Sequence, residues 1–323
     1  MYRRTFLATL AASPLLSLTR SALAQPSRVK GVSRDAAGTT LSLALDHAPF
    51  PAPSAGYRDD TVHVFVPAHY RYRAGEGVAT LVHFHGHNTT AERAMVAHEL
   101  REQLADSKQN AILVVPQLAV MAADSACGKL ESPGALARML GEAVTTVAHV
   151  GHATLGDSAF PASTRLGTAC VSAHSGGYHA AACCLRAGGV DVREAYLFDA
   201  LYADVEVFRQ WVLARQGRPL HERHKLVSYY TLGSTTEAQD ELLRAQLERA
   251  GVLCARETQE GDLSRHQLSH AEAVFVRTGV WHSAVTWETN ALRDVLYASA
   301  LPRHMPTAWF SRKTGARPID RRR

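Results

Sequence analysis

The chain has 323 residues, 46% of them hydrophobic and 20% charged, enough for a large buried core and for one large α/β domain or two smaller ones. Its net charge of +5 is carried by the two ends: Arg3, Arg4 and Arg20 near the start, and six basic residues against Asp320 in 312–323. The stretch between is net acidic, so the basic balance gives no ground for a nucleic-acid surface.

Residues 1–24 combine a charged start, an apolar middle and the small-residue ending Ala22-Leu23-Ala24. This pattern predicts a secretory signal with a mature chain beginning at Gln25. Arg3-Arg4-Thr5-Phe6-Leu7 resembles the twin-arginine export signal, which places the protein outside the bacterial cytoplasm, in the periplasm or beyond. The apolar run is broken by Ser13-Pro14 and Arg20 and is too short for a stable membrane span. Residues 25–311 read as the folded domain and 312–323 as a basic tail.

Residues 30–48 alternate as a strand or hairpin, followed by a turn-rich loop at 51–56. Thr61–Pro67 is an alternating strand, and 79–85 is a more continuously apolar one, as expected of a buried central strand. It runs into Gly86-His87-Asn88. Helical periodicity covers about 90–107, and a strand follows at 111–116. Residues 117–131 read as an irregular loop. A helix then runs to about His149, started by Ser132 with Pro133 in its first turn.

The stretch 168–185 begins as a buried β-run, turns sharply at His174-Ser175-Gly176-Gly177 and continues as an alanine-rich helix. A serine between a strand and a helix, with very small residues two positions to either side, is a nucleophile elbow. Here those positions are Ala173 and Gly177, a mild departure from paired glycines. Ser175 as an ordinary helix cap is the plain alternative.

Residues 193–199 form the next strand, ending at Asp199, with Asp204 as the cap of a helix to about Ala214. A strand at 225–232 ends at Gly233-Ser234 and leads into a helix over 236–250. The last strand covers 272–277, and Ser283 caps a final helix to about Tyr297. Strands alternating with helices imply a mostly parallel sheet covered on both faces, with its site at the carboxyl ends of the strands. His85 to His87, Ser175, Asp199, Ser234 to Glu237 and His282 all fall at that edge.

With serine first, acid next and histidine last, the chain from about 60 to 300 resembles the α/β-hydrolases. The resemblance rests on the strand–helix order, the elbow, the His-Gly turn after an early strand and a histidine between the last strand and last helix. It implies Ser175 as nucleophile, His282 as general base and a carboxylate orienting it. Asp199, at a strand end, is the preferred acid; Glu237 and Asp240, inside the helix after 232, are the alternatives. The resemblance also implies two oxyanion donors, the backbone N–H of Gly176 and that of His87.

His83, His85 and His87 alternate and suggest a metal site, but Gly86 breaks the strand there and no nearby acid completes a ligand set. Tyr178 and His179 read as packing residues, and Trp281 as either a pocket wall or a core lid. Cys127, Cys170, Cys183, Cys184 and Cys254 have no metal-type spacing and look mostly like small core residues, with room for one disulfide in an oxidising compartment. Neither metal nor cofactor is expected. The implied function is an exported serine hydrolase acting on a small-molecule or acyl ester, less readily an amide, through an acyl-enzyme. The alternative is a binding or scaffold protein that keeps the hydrolase fold without its activity. Nothing in the sequence sets the oligomeric state.

Overall fold

The computed structural model describes residues 28–53, 56–259 and 261–311. The expected export signal and basic tail lie outside these residues. Among those described, no helix is long and apolar enough to cross a membrane.

Ten strands form one sheet. They are β1 (Arg28–Arg34), β2 (Gly38–Ala44), β3 (Thr61–Pro67), β4 (Val78–Phe84), β5 (Ile112–Pro116), β6 (Leu166–His174), β7 (Val192–Phe198), β8 (Lys225–Thr231), β9 (Cys254–Glu257) and β10 (Ala273–Thr278). The spatial order is β1-β2-β3-β5-β4-β6-β7-β8-β10-β9. The first three strands pair antiparallel, as does β3 with β5. From β5 onward every pairing is parallel.

Side chains alternate across the sheet because the strand period is two. Val82, Phe84, Val171, Ala173 and Leu197 enter one core, together with residues of α3 (Ala135–Leu155), α4 (Tyr178–Ala187), α5 (Val205–Leu213) and α6 (Thr235–Arg249). Leu81, Cys170, Tyr196 and Phe198 enter the other. There they meet α1 (Ala91–Ala97), α2 (Leu100–Ser107), α7 (Arg265–His270) and α8 (Ala291–Tyr297). A short helix, α9 (Thr307–Ser311), ends the described chain. This is the α/β-hydrolase fold, a mostly parallel central sheet with helices on both faces.

Several local readings need correction. The helix expected over 90–107 is two helices, because Glu99 adopts φ 47° and turns the chain between α1 and α2. α3 is entered from Gly134 at φ 73°, not from Ser132. Ser283 lies inside a 3₁₀ turn (His282–Ala284), and the last large helix starts later, after Asn290 at φ 60°. Asp204 occupies the position before α5, but its side chain makes no cap hydrogen bond; its carboxylate is engaged elsewhere.

Candidate active site

Ser175 follows directly on β6 and opens a 3₁₀ turn (Ser175–Gly177) that runs into α4. Its φ of 53° is unusual for a residue with a Cβ and costs on the order of 1–3 kcal/mol. The turn survives because its neighbours are small. A Cβ at Gly177 would stand 2.3 Å from the Phe84 carbonyl oxygen, and one at Gly86 would stand 2.7 Å from Ser175 Cβ. Ala173, the other small position, is fully buried and paired with Phe84 and Leu197, so the sheet accommodates its methyl group.

Asp199 is the first residue after β7 and is also held at positive φ, 47°. Its N–H donates to the Tyr229 carbonyl at 2.7 Å, which anchors it to β8. Its carboxylate is fully buried and divides its acceptor capacity. Oδ2 lies 2.7 Å from His282 Nδ1. Oδ1 accepts from the Ser234 hydroxyl (3.0 Å), the Thr231 N–H (3.3 Å) and the Thr236 hydroxyl. Burial alone raises a carboxyl pKa, but the hydrogen bonds from His282, Thr236 and Thr231 outweigh it and lower Asp199 to about 2. Asp199 is therefore ionised at neutral pH.

His282 stands in the turn after β10, with its side chain 41% exposed. Donation from Nδ1 to Asp199 leaves Nε2 with a free lone pair. The residue is also tied to the elbow. His174 Nε2, next to Ser175, donates to the His282 carbonyl at 2.8 Å, and the two rings lie 4.7 Å apart.

The two alternative acids are placed differently. Glu237 accepts from the Gly233 N–H at 2.8 Å and lies 4.0 Å from Arg277, closing the turn between β8 and α6. Asp240 is not the helix-surface carboxylate that its position suggests. It is fully buried beside Ser228, because that face of α6 packs on the sheet. Burial, reinforced by the charges of Asp199 and Glu241, pushes its pKa well above the carboxylate range.

The turn after β4 lies against the elbow. His87 N stands 3.4 Å from where a Cβ on Gly176 would be, so the two expected donor residues are neighbours. His85 braces this turn. Its Nδ1 donates to the Gly86 carbonyl (2.8 Å), and its Nε2 accepts from the Leu118 N–H (2.9 Å) and from Gln117 Nε2 (3.1 Å). Burial lowers its pKa to about 4, which keeps the ring neutral and Nε2 an acceptor. His83 bonds Ser172 at 2.8 Å instead, while His87 is exposed. The three alternating histidines thus enter three different environments.

Sequence reasoning missed Tyr202 and Ser125, and read Tyr178 as a packing residue only. Tyr202 is half-exposed, with its hydroxyl near the Ser175 and Thr235 side chains, and its ring meets His282 edge-on at 6.5 Å. Tyr178 opens α4 near Ser125, whose Oγ is 3.2 Å from the Cβ position on Gly176. All three come from loops or from the first turn of a helix, where periodicity says nothing about direction. A shallow hollow beside Gly176 and His87 is lined by Leu118, Ala119, Ala122 and Ala126. Trp281 is 80% exposed, so it does not close the core. A larger cleft elsewhere holds a Ser42–His63 hydrogen bond of 3.0 Å, but that pair stands on the antiparallel strands β2 and β3, away from the carboxyl edge.

No protein-family model and no curated protein matches the chain. Solved structures do resemble it. One is a ferulic acid esterase, 11% identical with a TM-score of 0.47, the match covering 74% of this chain and 91% of that one. Another is an S-formylglutathione hydrolase from Agrobacterium tumefaciens, at 10% identity and TM-score 0.42, covering 89% and 99%. A third is a hyperthermophilic esterase from the archaeon Pyrobaculum calidifontis, at 14% and 0.38, covering 74% and 79%. These are distant likenesses of fold. What the site does has to be reasoned from its own residues.

Proposed function

We propose that the protein is a serine hydrolase that cleaves a carboxylic ester, and less readily an amide, through an acyl-enzyme. The observation that carries this reading is the Asp199–His282 hydrogen bond beside the strained Ser175 turn. A buried ionised carboxylate holding one imidazole nitrogen leaves the other to take a proton, which is what a weak hydroxyl nucleophile requires.

In the proposed reaction Ser175 Oγ attacks the ester carbonyl while His282 Nε2 removes its proton. The imidazolium is stabilised by Asp199 and returns the proton to the leaving alkoxide. Water then repeats the sequence on the acyl-serine. The N–H groups of Gly176 and His87 receive the oxyanion, each such donor being worth about 3–4 kcal/mol of transition-state stabilisation. Residues 1–24 would deliver the enzyme outside the cytoplasm.

The deciding experiment is turnover of p-nitrophenyl esters of increasing acyl length by the wild type and Ser175→Ala, with fluorophosphonate labelling of both. Labelling and turnover that both vanish in the variant support the reading. A wild-type protein that is folded and unlabelled would favour the binding or scaffold alternative.

A further inference from the structure

Beneath the elbow lies a second cluster of reactive side chains that this mechanism does not use. The ligand atoms of Cys127, His179 and Cys183 all lie within 4.8 Å of one another. His179 and Cys183 are four residues apart on α4, so one helix face presents both. Cys127 arrives from the segment between β5 and α3 and is fully buried. All three cysteines of this region, Cys127, Cys183 and Cys184, are free thiols.

The geometry matches a coordination shell. Cys183 Sγ stands 3.6 Å from His179 Nε2. A tetrahedral ion with metal–sulfur and metal–nitrogen bonds of about 2.3 and 2.0–2.1 Å sets those two atoms about 3.6 Å apart. The other nitrogen of His179 is also committed, with Nδ1 2.7 Å from Asp204 Oδ2. That bond fixes the proton on Nδ1 and directs the Nε2 lone pair at the thiols, the arrangement by which a carboxylate orients a metal-bound histidine. The Asp204 side chain makes no cap bond to α5, although the residue occupies the cap position at φ 57°. Arg186 Nη2 donates to Cys183 Sγ at 3.5 Å, an N–H···S contact of the kind that supports a thiolate.

We propose that Cys127, His179 and Cys183 form a binding site for one borderline-soft divalent cation such as Zn²⁺, with Asp204 holding the histidine. Two sulfurs and an imidazole suit zinc better than a hard, oxygen-seeking cation. As the two metal–sulfur bonds form, the thiol protons pass to solvent, and the fourth position is left to water. The ion joins the segment bearing Leu118 and Ser125, which flanks Gly176 and His85, to the helix that follows Ser175. Metal occupancy therefore fixes the oxyanion turn against the elbow. A disulfide between Cys127 and Cys183 is the rival occupant, but it gives His179 and Asp204 no part. The site does not depend on Ser175 being a nucleophile.

The test is titration of the reduced, chelator-treated full-length protein with Co²⁺, followed by Zn²⁺. The expected result is a thiolate-to-cobalt charge-transfer band that saturates at one ion per chain, is displaced by Zn²⁺ and accompanies a rise in melting temperature. Cys127→Ser and Cys183→Ser should each lose at least about half of the band's intensity, and Cys184→Ala should keep it. Asp204→Asn retains every ligand, so it should show the same band at saturation with affinity about 10- to 100-fold weaker. This variant and the wild-type titration decide the matter even where a cysteine variant misfolds. Absence of the band from folded wild type, its undiminished intensity in folded Cys183→Ser, or unchanged affinity in Asp204→Asn would overturn the site. So would untreated protein that carries a Cys127–Cys183 disulfide and no metal.

Discussion

Asp199 Oδ2 and His282 Nδ1 meet at 2.7 Å although 83 residues of chain separate them. The meeting depends on β7 and β10 flanking β8, so that both strand ends reach the same edge of the sheet. If Asp199 orients His282, Asp199→Asn should preserve the fold and lower turnover by about 10⁴, through the wrong imidazole tautomer. Glu237→Gln should cost less than about tenfold, because its bonds close a turn. Asp240→Asn should behave likewise, since a buried carboxyl already kept neutral loses little on becoming an amide. Kinetics of all three on one ester, with circular dichroism, provide the check. A near-wild-type Asp199→Asn beside a dead Glu237 or Asp240 variant would reassign the acid.

Ser175→Ala should lower turnover by at least about a thousandfold and abolish probe labelling, while leaving substrate binding close to normal. Circular dichroism and the melting temperature of the variant separate this from misfolding. Retained turnover would mean that Ser175 only starts a helix.

The elbow's steric requirement has its own test. Gly177→Ala places a methyl group 2.3 Å from the Phe84 carbonyl oxygen, backbone that cannot swing aside. Overpacking of this kind costs about 1–3 kcal/mol, which urea denaturation should register as a lower midpoint. Ala173→Gly should leave catalysis close to wild type, because the existing methyl group is already accommodated between Phe84 and Leu197. An unchanged midpoint for Gly177→Ala would contradict the packing argument.

The strand edges were readable because burial on both faces writes continuous apolar runs such as β4 and β5, and the turns after them are marked by glycine and by polar residues. Ser175, Asp199, His282 and the turn at His87 could be named for that reason. Where a helix turns its face is much harder to read. Asp240 lies within a polar helix whose buried side is narrow, so its position looked solvent-facing. β9 is a four-residue edge strand with little apolar signal. Cys127 joins His179 and Cys183 only through tertiary packing, and no local spacing announces that. The positive φ of Glu99 and Asn290, which reset two helix boundaries, carries no sequence mark beyond an asparagine's tolerance for it.

Export has a direct test, because the signal was read from residues 1–24 alone. Arg3→Lys with Arg4→Lys should hold the protein in the cytoplasm, as followed by fractionation and by the N-terminal sequence of the processed chain. Unchanged delivery of the double variant would remove the twin-arginine assignment and leave a Sec-type signal standing.

The stability of the fold should depend on pH through a file of buried histidines behind His282. Ring centroids lie 5.9 Å apart for His83 and His98, 4.5 Å for His98 and His174, and 4.7 Å for His174 and His282. Burial disfavours the charged imidazolium and lowers His174 to about 4. The neighbouring His282 ring pushes it the same way, while the bond to the His282 carbonyl and the charge of Asp199 oppose it. His83 and His98 are likewise held well below their ordinary value, by burial first and then by the neighbouring His174 ring. In the unfolded chain these rings titrate near 6.5. Between about pH 6.5 and 4 the unfolded state therefore binds more protons than the folded one, and stability rises with pH. It is complete above 6.5 and is lost as the pH falls toward 4, with His174 alone accounting for about 3 kcal/mol across that window. Asp199, whose folded pKa is about 2, loses its contribution only below about 3.8, so its effect follows at lower pH. Melting temperatures measured from about pH 7 to about pH 5 should fall steadily in the wild type. His98→Leu removes one titrating ring from the middle of the file and should give a shallower slope. A wild-type melting temperature that stays flat across that range, with the protein folded throughout, would show that these rings take up protons in the folded state as readily as in the unfolded chain.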